Sequence, residues 1–254
     1  MGPSTPKRTA FVTGASYGVG AATALALASD GFDVAVSATR AGNLRETAAK
    51  LAATGIRALP LVLDLRSQAS IERAMADVIA AFGHLDVLVN NAGADLRKLA
   101  VDVSFAEWDA AMAVNLRGTF FLTQQIGRHL IGGSRPGAIV NIASTHGLIG
   151  AAERSVYGIS KGALIQMTRM LAVEWAEHGI RVNAIAPGRL DTPSPARAVR
   201  TTDPAYMDAM RARIPLQRLT TADEVAAAVC YLASPQGASI TGQTLVLDGG
   251  LTVV

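Results

Sequence analysis

The chain has 254 residues, half of them hydrophobic and 17% charged, so it carries enough apolar material for a large core, which excludes disorder and fibrous repeats. Twenty-three basic against 20 acidic residues leave a net charge of +3; the cations are scattered rather than striped, which argues against nucleic acid as a partner. A single cysteine excludes a disulfide framework and a thiolate metal cluster.

At the start, Lys7 and Arg8 precede Ala10-Phe11-Val12, but Thr13 and Gly14 end that run too early for a signal peptide. Met1-Gly2 lacks the Ser or Thr that myristoylation wants, because Pro6 stands there. No run approaches the roughly 18 apolar residues of a membrane helix. These readings point to a cytoplasmic chain without a membrane partner, with residues 1–6 as a flexible tail.

Short aliphatic runs predict strands at Thr9–Thr13, Asp33–Ser37, Arg57–Leu63, Asp86–Val89, Ala138–Ile142, Arg181–Ala186 and Thr244–Leu247. Between them, 3.6-residue periodicity predicts helices over Val19–Ala28, Leu44–Ala53, Ile71–Phe82, Phe105–Leu130, Ser155–His178 and Ala222–Leu232. Ser104 with Glu107 and Thr221 with Glu224 have the spacing of capping boxes. Gly31, Gly55, Gly83 and Gly179 stand where helices should stop in a left-handed residue. Strands without in/out alternation, each followed by a helix, call for a parallel sheet buried on both faces. The expected fold is α/β, one Rossmann-type doubly wound domain of about seven strands over residues 1–254, with ligands at the strands' carboxyl ends. The Pro-rich segment 189–218 breaks the rhythm and is expected to form a lid over the site.

After the first strand comes Thr13-Gly14-Ala15-Ser16-Tyr17-Gly18-Val19-Gly20 and then a helix. Glycines suit close approach of backbone to a pyrophosphate, and the helix start offers unpaired N–H groups; a mere tight turn is the plainer alternative. Tyr157 and Lys161 are four apart on a predicted helix and share a face. A phenol is a weak base at neutral pH, and a neighbouring ammonium favours its phenolate, so the pair suits alcohol–ketone interconversion. A surface Tyr–Lys pair is the alternative.

These motifs resemble those of the short-chain dehydrogenases/reductases: Asp64 after the third strand, Asn90-Asn91-Ala92-Gly93 after the fourth, Asn115 mid-helix, Ser144 after the fifth, Tyr157-Gly158-Ile159-Ser160-Lys161, and Pro187-Gly188 with Thr192. The resemblance covers essentially the whole chain and implies an NAD(P)(H)-dependent enzyme interconverting a secondary alcohol and a ketone. The substrate would be a sugar acid, polyol or other small carbonyl compound, or alternatively a 3-oxoacyl thioester; a non-catalytic nucleotide sensor is the rival class. The resemblance makes Asn115, Ser144, Tyr157 and Lys161 catalytic. It makes Gly14, Ser16, Tyr17, Gly18, Val19, Gly20, Thr39, Arg40, Asp64, Leu65, Asn91, Ala92, Gly93, Tyr157, Lys161, Pro187, Gly188 and Thr192 cofactor contacts, and it implies a homo-oligomer, a dimer or tetramer.

At the end of the second strand Ala38-Thr39-Arg40 holds no acid to repel a 2′-phosphate, which favours NADP(H) over NAD(H). Tyr17, where many NADP-using relatives carry a basic residue, stands against it, and Arg40 can equally be a solvated loop charge. The four histidines (84, 129, 146 and 178) have no metal-ligand spacing, so no metal is expected. Leu164, Met167, Leu171 and Trp175 form a stripe of core or subunit interface. Seven arginines between Arg181 and Arg218 outnumber the acids there by four, and Arg97, Lys98 and Arg154 lie on loops expected near the same mouth. That excess suggests attraction of an acidic substrate, unless the arginines only solvate a lid.

Overall fold

Consecutive residues of a strand point to opposite faces, so a strand apolar at every position needs cover on both sides. β1 (Thr9–Val12), β2 (Asp33–Ala38) and β4 (Val87–Asn90) are buried at every residue. β5 (Gly137–Ile142) and β6 (Ile180–Pro187) are nearly so. With β3 (Ala58–Val62) and β9 (Thr244–Leu247) they form a seven-stranded sheet of order β3-β2-β1-β4-β5-β6-β9, parallel throughout. This computed structural model describes residues 7–191 and 204–254. The expected tail 1–6, Thr192 and the middle of the expected lid lie outside the described residues.

One sheet face, with Val12, Val34, Val36, Val89 and Val140, packs against α1 (Gly18–Ser29), α2 (Arg45–Ala52) and α8 (Ala222–Ala233). The other, with Phe11, Leu88, Ile139 and Val182, packs against α3 (Gln68–Phe82), α5 (Thr119–Gly132) and α6 (Ser155–Trp175). Leu164, Met167 and Leu171 are buried in this second core with Trp175 against it, so that stripe is core. No helix among the described residues is long and apolar enough to cross a membrane.

Both capping boxes form, and the four stop glycines take φ between 71° and 84°. Two expectations need correction. Full burial holds for the central strands and fails at the rims, where Val62 of β3 is 55% exposed because an edge strand has a neighbour on one side only. The helix expected over Phe105–Leu130 is interrupted: α4 (Phe105–Met112) passes through a π-helical stretch, Ala113–Gly118, into α5. A periodicity scan does not register this, because the apolar residues on either side of the wide turn each keep their own 3.6-residue spacing. The Pro-rich segment holds regular elements of its own at its ends. Its described flanks hold β7 (Leu190–Asp191) paired with β8 (Thr220–Thr221), and α7 (Pro204–Ala212).

The π-helical stretch lies against the chain after β3. A Cβ on Gly118 would overlap Leu65 O and stand 2.7 Å from Leu65 C, and backbone cannot move aside as a flexible side chain can. Gly118→Ala is expected to destabilise the protein by about 3 kcal/mol or more in urea unfolding, at the upper end of overpacking costs. Gly132→Ala, at the end of α5 where a Cβ meets nothing within 4 Å, is expected to be neutral or stabilising by up to about 1 kcal/mol. Equal stability of the two variants would count against the close approach.

Candidate active site

All strands of a parallel sheet end on one side, and the order reverses between β1 and β4, which opens a crevice at that point. The glycine loop after β1 and Asn90-Asn91-Ala92-Gly93 after β4 form its two sides. Gly14 and Gly18 take φ of 65° and 60°, a region that costs most side chains but not glycine. A Cβ on Gly14 would also stand 2.8 Å from Ala92 Cα, and one on Gly20 would overlap Gly14 O. Thr13 Oγ1 accepts the N–H groups of Asn91 and Ala92, each at 3.0 Å. Asn91 Nδ2 donates to the carbonyls of Thr13 and Gly14 at 2.9 Å. Asn91, Ala92 and Gly20 therefore hold the loop's shape, and Val19 is buried in the core. What the loop leaves open is the face with Ser16, Tyr17 and Gly18 at the start of α1, whose first turn has no side-chain cap.

Thr39 and Arg40 lie exposed past the end of β2, which the bond from Ala15 N–H to Ser37 O (2.9 Å) ties to the glycine loop. Asp64 receives the Arg66 guanidinium on both carboxylate oxygens, which holds its carboxyl below the usual range. Leu65 turns its side chain into the core. Gly188 N–H donates to Leu247 O at 2.8 Å, and a Cβ there would be 2.9 Å from Asp248 Cα, so Pro187-Gly188 is fastened to the end of β9.

α6 begins at Ser155 and carries Tyr157 and Lys161 one turn apart. Lys161 Nζ is 5.7 Å from the Tyr157 ring centre and donates to Ile142 O at 2.7 Å. Burial pushes this ammonium down to about 8, against the opposing pull of Asp95. Arg154 approaches the same ring at 5.8 Å and pairs with Asp95. Ser144, two residues past the end of β5, accepts the His146 N–H, and the His146 ring stands edge-on to Tyr157. Asn115, in the π-helical stretch and almost wholly buried, accepts Ala94 N–H at 2.6 Å. Its Nδ2 donates to Ala94 O (2.9 Å) and Ser160 Oγ (3.0 Å), so it pins the loop after β4 to the start of α6. A Cβ on Gly93 would stand 3.6 Å from Lys161 Nζ. The fold thus brings Gly93, Asn115, Ser144, Tyr157 and Lys161 together from four elements. Thr192 is outside the described residues.

Sequence reading missed a network behind the site. Asn90 and Asn141 are paired in register on β4 and β5, and Asn90 Nδ2 donates to Asn141 Oδ1 and Thr123 Oγ1, both at 2.8 Å. Asn141 Nδ2 reaches Thr168 Oγ1 at 2.9 Å, so a buried amide pair ties both strand ends to α5 and α6. Two asparagines at matching positions of adjacent predicted strands were the available signal.

The cations expected to form an acid-attracting mouth are largely matched with partners. Arg97 pairs with Glu153, Arg154 with Asp95, and Lys98 with Glu107 at 2.9 Å. Arg211 pairs with Asp208, Arg218 with Glu224, and Arg189 donates to Tyr206. Arg181 is far from the crevice and donates to carbonyls at the end of α8, Leu232 O (2.6 Å) among them. Arg197 and Arg200 lie outside the described residues. Three of these pairs lie on the loops outside the segment; within 181–218 Asp208 is one of the segment's own acids, and Glu224 is the acid from outside that lowers the surplus.

The profile of the family described as "Enoyl-(Acyl carrier protein) reductase" matches residues 14–252. The chain belongs to the short-chain dehydrogenase/reductase family. It is 39% identical to a cis-4-hydroxycyclohexanecarboxylate dehydrogenase of Sinomonas cyclohexanicum, with 100% of both chains covered. Among solved structures, one from Sinorhizobium meliloti described as a short-chain alcohol dehydrogenase has a TM-score of 0.92 and 39% identity over 97% of this chain and 96% of that one. An actinorhodin polyketide ketoreductase variant solved with NADPH has a TM-score of 0.92 and 35% identity over 96% and 97%. As a short-chain dehydrogenase/reductase the protein is an NAD(P)-dependent oxidoreductase acting on CH–OH groups. Among the described residues, no cluster of three His, Cys, Asp or Glu side chains can hold a metal ion.

The lowered pKa of Lys161 has a sign that can be tested. Between about 8 and its ordinary value of about 10.4, the unfolded chain binds a proton at this lysine that the folded chain does not, so stability from this group rises with pH in that window. Without cofactor, the stability of the wild type relative to Lys161→Met is expected to increase as pH goes from about 8 to about 10. Parallel curves in urea unfolding across that window would refute the desolvated lysine.

Proposed function

We propose that Tyr157 is the general acid/base of a secondary alcohol dehydrogenase or carbonyl reductase. The observation that carries this reading is Lys161, a buried ammonium bonded to a backbone carbonyl beside the Tyr157 ring. Burying a cation without a carboxylate partner is costly, and its electrostatic effect on a phenol is the gain that fits it. The unpaired first turn of α1, the open face of the glycine loop and the hydroxyl and guanidinium of Thr39 and Arg40 fit a dinucleotide. When bound, the nicotinamide supplies or takes up a hydride. Tyr157 gives its phenolic proton to the ketone oxygen, or removes the alcohol proton in reverse, and the Lys161 cation favours the phenolate. The Ser144 hydroxyl donates to the same substrate oxygen. Asn115 orders the loop after β4, so that Gly93 and Lys161 keep their distance.

Among cofactor contacts we retain Gly14, Ser16, Tyr17 and Gly18 for the phosphates, Thr39 and Arg40 for the adenosine ribose end, Asp64 near the adenine, and Tyr157 with Lys161 and Pro187-Gly188 around the nicotinamide. NADP(H) is favoured over NAD(H) by the lack of a carboxylate after β2 and by the exposed Arg40. The substrate is read as a sugar acid, polyol or other small carbonyl compound, with the loop cations Arg97, Lys98 and Arg154 already paired to acids. A 3-oxoacyl thioester is the second reading, supported by the acyl-carrier description of the family and by the ketoreductase relative. The segment 189–218 is read as the substrate cover, its flanks held by Met207, Ile214 and Leu219. Exposed Phe120 and Phe121 on α5 and Met170 and Val173 on α6 support a homo-oligomer, and the use of a single cysteine suits a cytoplasmic setting.

Tyr157→Phe is expected to lower turnover by roughly 10²–10⁴-fold with cofactor binding retained; near-normal turnover would remove the assignment. In direct titration, NADP(H) is expected to bind more tightly than NAD(H), and Arg40→Ala to erase most of that difference. Tighter NAD(H) binding by the wild type would reverse the cofactor reading.

A further inference from the structure

Ser144 stands two residues past the end of β5 and caps a single 3-10 turn, Thr145–Gly147, with its own side chain. Its Oγ accepts the backbone N–H of His146 at 3.2 Å and lies 3.3 Å from Nδ1 of the same imidazole. The ring of His146 is 6.0 Å from that of Tyr157, at 70°. This turn is pressed onto α6 with no room to drift. A Cβ on Gly158 would stand 2.7 Å from His146 O, and one on Gly147 would stand 2.8 Å from Lys161 C. Backbone contacts therefore set the position of His146 between the two groups that the proposed reaction uses at the substrate oxygen.

A serine hydroxyl has one proton to give and two lone pairs to accept with. The His146 backbone N–H occupies one lone pair, and the second contact can run either way. With the proton on Nδ1, the imidazole donates to Oγ, both lone pairs are filled, and the hydroxyl proton points toward the crevice. With the proton on Nε2, Ser144 donates to Nδ1, and a substrate ketone oxygen would face a lone pair instead of a donor.

We propose that His146 is a positioning residue: held as the Nδ1–H tautomer, it donates to Ser144 Oγ and thereby aims the Ser144 proton at the substrate oxygen. This rests on the reading of Ser144 and Tyr157 given above. It adds that the donor role of Ser144 is imposed by a neighbour and is not a free choice of rotamer.

Two measurements decide it. In the cofactor-free protein near pH 8, where an ordinary imidazole is neutral, ¹⁵N NMR of the side chain is expected to show a protonated Nδ1 for His146, with a shift that moves in Ser144→Ala; a protonated Nε2 overturns the proposal. In kinetics, His146→Phe is expected to lower kcat about tenfold, the scale of one lost oriented hydrogen bond, with the KM for cofactor unchanged. His146→Asn, whose side-chain amide can donate from a similar place, is expected to recover to within about threefold of wild type. Wild-type kcat in His146→Phe, or no recovery in His146→Asn, also overturns it. If the wild type turns over no alcohol or ketone, the functional reading fails while the imidazole spectrum still decides the tautomer; a variant that does not fold leaves the same spectrum as the test.

Discussion

A parallel sheet puts the carboxyl ends of its strands on one side, and a reversal of strand order leaves a gap there that no crossover helix fills. In this protein the gap lies between β1 and β4, and every feature of the candidate site answers to it. The glycine loop lines one wall, the Asn90–Gly93 segment the other, and Ser144 and α6 extend the second wall across β5. The backbone must come close at these walls, which is why Gly14 and Gly20 face neighbours that a Cβ would meet.

Behind the crevice the structure relies on buried polar groups that are bonded to one another. Thr13, Asn91 and the glycine-loop carbonyls form one set, Asn90 with Asn141 and two threonines another, and Asn115 with Ala94 and Ser160 a third. Unmade hydrogen bonds in such surroundings are expensive, so these sets favour one arrangement of strand ends and helix starts. Lys161 departs from that pattern, because its charge is buried against a carbonyl rather than a carboxylate. Stability is given up at this position, which is the cost that the proposed acid/base role of Tyr157 accounts for.

The sequence by itself determined the order of elements and the fold class, because unbroken aliphatic runs alternating with amphipathic helices leave few architectures open. It also determined the helix caps, since those depend on residues three positions apart and on glycines that accept left-handed φ. Tyr157 and Lys161 were legible as a pair for the same reason: their relation is set within one helix. What only the tertiary structure decided depends on groups distant in sequence. The π-helical stretch around Asn115 sets Gly118 against the Leu65 backbone, and the role of Asn91 as a brace follows from its contact with Thr13 and Gly14. The charge surplus of segment 181–218 could be counted along the chain, but the pairing of Arg218 with Glu224, and of Arg97 and Arg154 with the loop acids Glu153 and Asp95, needed their positions in space, because a Coulomb interaction depends on distance and not on sequence separation.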